Sequence, residues 1–122
     1  MLGRFKKLET GETIIVPPVP IPFYCERAET NDIIARFKAP VDGELKYMSI
    51  TVDKAEMADE QDELIARFEG AKGIGISLAV ALKQGDTTFS EIIPVKAREC
   101  YVFRNVGCPV SGVWVTMMFE VR

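Results

Sequence analysis

The chain has 122 residues, 48 % of them hydrophobic and 27 % charged, with a formal net charge of −3. That length holds one domain with a two-layer core, and the acidic balance argues against nucleic acid as the main partner. No apolar run approaches the ~20 residues of a membrane span, and the first residues lack the apolar stretch of a secretory signal, so a protein made in a cytoplasm, with no membrane partner, is expected.

Residues 1–11 form a basic leader carrying Arg4, Lys6 and Lys7. Thr13-Ile14-Ile15-Val16 reads as a short strand. Pro17, Pro18, Pro20 and Pro22 follow, with Val19, Ile21 and Phe23 between them. Proline fixes φ, biases its predecessor to extended geometry and removes a backbone donor, so the segment should be stiff and unable to sit in the middle of a sheet. Its apolar side chains either pack along the domain's own edge or dock onto a neighbouring protein. Residues 1–31 are therefore read as an N-terminal arm and residues 32–122 as the folded domain.

Strand patterning begins at Ile33, where Ile33, Ala35 and Phe37 alternate with Ile34, Arg36 and Lys38. Pro40-Val41-Asp42-Gly43 supplies a turn. The next strand runs to Val52, with Met48, Ile50 and Val52 on one side and Leu45 and Tyr47 on the other. Residues 54–68 combine good helix formers with an echo: Leu64-Ile65-Ala66-Arg67-Phe68 nearly repeats Ile33-Ile34-Ala35-Arg36-Phe37. An acidic loop, with or without a helical turn, leading into a strand fits both signals. From Ile74 to Leu82 the even positions are bulky, while Gly75, Ser77, Ala79 and Ala81 are small, as in a strand covered on both faces. Gln84-Gly85-Asp86 turns the chain, residues 88–95 and 100–103 continue the strands, and the last one ends the sequence. In that strand Val113, Val115, Met117, Phe119 and Val121 point one way, and Trp114, Thr116, Met118 and Glu120 the other. Six or seven strands with turns about every ten residues predict an all-β fold, an antiparallel β-sandwich (jelly-roll-like) with an extended Pro-rich N-terminal arm.

The sequence carries no recognisable catalytic motif. No histidine is present, which removes Ser-His-Asp and Cys-His activation and the commonest zinc and iron ligand sets. No phosphate-cradling loop occurs, and no pair of carboxylates stands out for glycosidase work. Residues 53–69 hold seven acids against Lys54 and Arg67, which reads as a solvated face. Cys25, Cys100 and Cys108 form no C-x-x-C pair and read as reduced thiols, a Cys100–Cys108 bridge needing a hairpin in the right register. No catalytic residue, cofactor or metal is expected. What remains is surface. Both sides of the last strand are bulky, and a small domain with surplus apolar faces buries them against another chain. Trp114 is read as a core or inter-sheet residue, with a subunit contact or a sugar-stacking platform as alternatives; Tyr47 and Met118 share the oligomer or inter-sheet assignment, and Tyr101 the sugar-stacking one.

Phe37-Lys38-Ala39-Pro40-Val41-Asp42-Gly43-Glu44-Leu45 and the closing Ser111-Gly112-Val113-Trp114-Val115 together resemble the small jelly-roll-like head-fibre and capsid decoration proteins of tailed bacteriophages, over residues 33–122. The resemblance implies a non-enzymatic virion protein that decorates or cements a phage capsid, bound to the major capsid protein or another virion protein and commonly a homo-oligomer, a trimer above all. It also implies anchoring by an N-terminal segment, a role that falls here to Arg4, Phe5, Ile15, Val16, Pro17, Pro18, Val19, Pro20, Ile21, Pro22 and Phe23. No collagen-like or coiled-coil stalk is present, so a compact knob is expected rather than an extended fibre. A tail or fibre adaptor and a carbohydrate-binding β-module using Trp114, Tyr47 or Tyr101 are the competing readings.

Overall fold

The computed structural model describes residues 4–7, 13–58, 63–70 and 75–121. Among these, every regular element is a strand: β1 (Arg4–Lys7), β2 (Thr13–Val16), β3 (Val19–Ala28), β4 (Ile33–Lys38), β5 (Gly43–Ala55), β6 (Ile65–Gly70), β7 (Ser77–Ala81), β8 (Gly85–Phe89), β9 (Ile93–Val95), β10 (Cys100–Asn105) and β11 (Val110–Val121). A four-stranded sheet has the order β4-β10-β6-β7, and a five-stranded sheet the order β3-β11-β5-β8 with β9 also against β5. Strands β1 and β2 pair antiparallel with each other, as a separate two-stranded sheet. The chain changes sheet at most connections, so the two layers are interwoven into the expected β-sandwich.

Strand β11 has a ladder on both sides, to β3 from Ala28 to Val19 and to β5 from Ala55 to Gly43. Its in-out alternation holds from Val113 to Phe119, with Val113, Val115, Met117 and Phe119 buried and Trp114 exposed; at the end of the strand Glu120, expected on the outward side, is buried. From the other sheet, Ala35, Phe37, Phe68, Val80, Tyr101 and Phe103 fill the interior. The Phe37 and Phe119 rings meet across the layers with centroids 5.8 Å apart, and Phe68 stacks on Tyr101 at 5.7 Å. The five-residue echo has a structural meaning, since β4 and β6 flank the same strand: Phe103 is registered with Ala35 on one side and Phe68 on the other.

Some expectations are met and others corrected. Tyr101 is only 1 % exposed, and its hydroxyl accepts from the Lys96 N–H at 3.0 Å, so it offers no stacking surface. The three cysteines are free. Residues 56–58 and 63–64 are irregular and β6 begins at Ile65; residues 59–62 of the acidic loop, and Ile74, lie outside the described residues. Strand β7 is not covered on both faces: Ser77, Ala79 and Ala81 are exposed, because β7 closes the four-stranded sheet and nothing described packs over its small face. Segment Val19–Ala28, assigned above to the arm, lies along the domain's own edge as β3. Pro20 and Pro22 withhold two donors, which a strand needing two ladders could not spare.

Asp42 and Gly43, at the end of the expected turn, each have a further part. A Cβ on Gly43 would strike the Glu120 carbonyl and the Phe119 ring, so the glycine admits β11 to close approach. Asp42 Oδ1 accepts from the Ala97 N–H at 2.8 Å. Gly112 has φ +62° and is skipped by both ladders of β11; a side chain there would meet Asp53.

One end of the sandwich is fastened by Asn105, the fully buried last residue of β10. Its amide nitrogen donates to the carbonyls of Ala28 (3.1 Å), Glu29 (3.3 Å) and Cys108 (3.0 Å), and its Oδ1 accepts from the Gly107 N–H at 3.1 Å. One side chain thus ties the β3–β4 turn to the β10–β11 turn. Truncating it would leave several buried backbone groups unpaired, each costing about 1–3 kcal/mol. Asn105→Ala is expected to lower unfolding stability in urea by about 3 kcal/mol, comparable with the ~3–5 kcal/mol for emptying the core at Phe103→Ala. A loss below ~1 kcal/mol would show that the two turns do not depend on this side chain.

Candidate functional site

Strand parity fixes what the five-stranded sheet shows to the outside. Inward residues of β11 are registered with inward residues of β3 and β5, which leaves a second set of rows facing away from the core. Trp114 is opposite Tyr24 and Thr51, Thr116 opposite Pro22 and Ser49, and Met118 opposite Pro20 and Tyr47. Strand β8 extends the first row with Asp86 and the second with Thr88, which lie opposite Thr51 and Ser49. The face is aromatic and proline-rich at its centre.

Trp114 and Tyr24 are each 53 % exposed, their rings touching at a centroid distance of 4.4 Å and tilted by 45°. Trp114 is thus not an inter-sheet residue, and neither are Tyr47 and Met118, which sit half-buried in the same outward rows. Patterning had separated the two faces of β11 correctly. Which face is the core is settled by the aliphatic and phenylalanine side chains opposite, since an indole N–H needs a partner or water when its ring is covered.

Charge rims this centre. At one end the Arg27 guanidinium forks onto Glu56, Nη1–Oε1 2.6 Å and Nη2–Oε2 3.0 Å, and reaches Glu29 at 3.4 Å. That hydrogen bond holds the Glu56 carboxyl below its ordinary value, and Glu56 in turn raises Arg27. At the other end Lys46 is the extra residue of a bulge in β5, between Tyr47 opposite Met118 and Leu45 opposite Phe119. It lies 3.3 Å from Glu44 and 3.8 Å from Glu120. The Thr51 hydroxyl donates to Asp86 at 2.6 Å on the β8 side. An apolar centre inside a polar rim is the anatomy of a protein-docking surface.

The eleven expected anchoring residues fall into three groups. Arg4 and Phe5 on β1 are registered with Val16 and Ile15 on β2, so these four are cross-strand neighbours in the hairpin. Pro17 and Pro18 link the hairpin to the sandwich. Of the five on β3, Ile21 and Phe23 pack against the core, while Val19, Pro20 and Pro22 stay exposed. Tyr24, the residue that makes the Trp114 patch, was missed; extending the strand pattern past the prolines would have placed it on the outward side of β3.

A separate cleft of about 400 Å³ is lined by Asp42, Ile76, Pro94, Val95, Lys96 and Tyr101. The Asp42 and Tyr101 oxygens there already accept backbone N–H groups. Among the described residues no group of three or more acidic, cysteine or histidine side chains could hold a metal ion. No family model matches the chain. No curated protein matches it either.

Two outcomes follow from this face. Trp114 is the single tryptophan, so the native fluorescence is expected to be that of a partly hydrated indole, open to acrylamide. Trp114→Ala should cost no more than about 1–2 kcal/mol, the scale of one aromatic pair; a blue-shifted, unquenchable emission would contradict this. For Glu56, a carboxyl depressed in the folded state adds stability above its unfolded value, and the gain is lost as pH falls through the folded one. Glu56→Gln is therefore expected to lower the urea midpoint at neutral pH, modestly because the pair is solvent-screened, and the two midpoints to converge in acid.

Proposed function

We propose that this chain is a non-enzymatic structural protein of a phage virion, a compact knob that decorates or cements the capsid. The observation that carries the reading is the exposed Tyr24–Trp114 pair at the centre of a charge-rimmed sheet face. An aromatic cluster of that kind is the usual energetic centre of a protein contact. Support also comes from the β1–β2 hairpin, which pairs with itself and joins the sandwich through Pro17 and Pro18. It is a stiffly connected element suited to gripping a neighbouring subunit. The resemblance to phage head-fibre and decoration proteins makes a capsid lattice the neighbour; a tail or fibre position would use the same parts.

A carbohydrate-binding module is the second reading, favoured by the Thr51–Asp86 hydrogen bond at the edge of the row that carries Trp114. Sugar rings stack on aromatic faces and bring hydroxyls to such groups. The experiment is co-sedimentation with capsid-sized particles. Removal of residues 1–16, which leaves β3 in place, is expected to abolish particle binding while the sandwich stays folded. Trp114→Ala is expected to weaken binding at least tenfold. Undiminished binding by both variants would sink the capsid reading, and glycan binding lost with Trp114→Ala would support the second.

A further inference from the structure

Among the described residues the two sheets have four outer edges, β3 and the β8–β9 side on one and β4 and β7 on the other. An open edge is a row of unpaired N–H and C=O groups, which proteins ordinarily guard with proline, charge, a bulge or distortion. Three edges are guarded here. Strand β3 carries Pro20 and Pro22. Strand β4 carries exposed Arg36 and Lys38 and a bulge at Ile34. Strand β8 starts at Gly85, with φ +102°, and exposes Asp86. Strand β7 reads Ser77-Leu78-Ala79-Val80-Ala81 and has none of these.

The direction of its backbone groups follows from hydrogen bonds at its ends. Gly70 N–H donates to the Ile76 carbonyl at 3.0 Å, and Leu82 N–H to the Leu64 carbonyl at 2.9 Å. Even-numbered residues therefore turn their backbone toward β6, and by strict alternation Ser77, Ala79 and Ala81 turn theirs to the open edge. Those three have small, exposed side chains. Shallow grooves separate β7 from the other sheet, one of about 280 Å³ beside Ser77, Leu78 and Ile92, the other of about 550 Å³ between Leu82 and Thr87. Ile92 is 58 % exposed there.

We infer that β7 is a self-pairing edge, and that its occupant is β7 of a second copy of this chain, antiparallel about a two-fold axis at Ala79. A strand is the ligand a row of backbone donors and acceptors recognises, and this strand is complementary to itself. With Ala79 opposite Ala79 of the second copy, Ser77 falls opposite Ala81, so every outward N–H meets an outward C=O. Leu78 falls opposite Val80 on the core side, extending the interior across the junction. Beyond the strand, Lys83 falls opposite Gly75, whose Cβ position is open space, so no like charges meet. This gives the self-association expected from the sequence a surface of its own, and it holds whatever larger particle the protein joins.

The test is solution mass by light scattering on the full chain at tens of micromolar. The wild type is expected at twice the 13.6 kDa chain mass. Ala79→Pro removes an outward N–H that the monomer does not use and is expected to give a monomer with an unchanged circular dichroism spectrum. Should that variant not fold, Ala79→Glu and Ala79→Lys decide: each alone is expected to be monomeric, and their equimolar mixture to regain the dimer mass. A monomeric wild type, a trimer, or a dimer unaffected by all three substitutions overturns the inference. A dimer lost with Trp114→Ala but kept with Ala79→Glu places self-association on the outer face and also overturns it, leaving particle binding a separate question.

Discussion

Strand β11 is the member of the five-stranded sheet on which the others depend, because it satisfies backbone groups on both sides along nearly its whole length. A strand with two ladders can lend no edge to anything else. Its flanking strands must match its register, and its inward side chains set the depth of the core. Gly43 and Gly112 are the concessions that let it fit. One removes a Cβ from beneath Phe119, and the other takes a left-handed conformation beside Asp53. The Asn105 hydrogen bonds then fix how the chain enters β11, by tying the preceding turn to the end of β3.

The same constraint produces the candidate site. Once Val113, Val115, Met117 and Phe119 are committed inward, Trp114, Thr116 and Met118 have only the outward side. Antiparallel registration then aligns them with Tyr24, Pro22 and Pro20 on β3 and Thr51, Ser49 and Tyr47 on β5. A patch assembled from three strands distant in sequence is held rigidly by the ladders beneath it. That suits a docking surface, since little side-chain or backbone order remains to be paid for on binding. The β1–β2 hairpin is paired outside both sheets.

The edges of the two sheets divide the molecule's sociability. Prolines on β3, cations on β4 and the distorted start of β8 discourage strand addition, while among the described residues β7 carries no such guard. The small residues at positions 77, 79 and 81 have a different meaning on an edge from the one they would have in a covered strand. In a covered strand they admit another layer from above. On an edge they leave the approach from the side unhindered.

Period-two alternation by itself determined the all-β class, the positions of β4, β5 and β11, and the separation of Val113, Val115, Met117 and Phe119 from Trp114, Thr116 and Met118, because alternation is a property of one strand. The Leu64–Phe68 echo likewise marked β6 as a strand despite its helix-forming prelude. Proline chemistry limited β3 to an edge or a neighbour. Only the tertiary structure decided that this edge was the domain's own, that Trp114 lies outside while Tyr101 lies inside, and that β7 is bare on one face. Those outcomes depend on which strands become neighbours and which layer faces which, and pairing between distant segments leaves no periodic trace in the chain. Asn105 is the sharpest instance, a buried amide at the end of β10 whose four hydrogen-bond partners come from the end of β3 and from two separate turns.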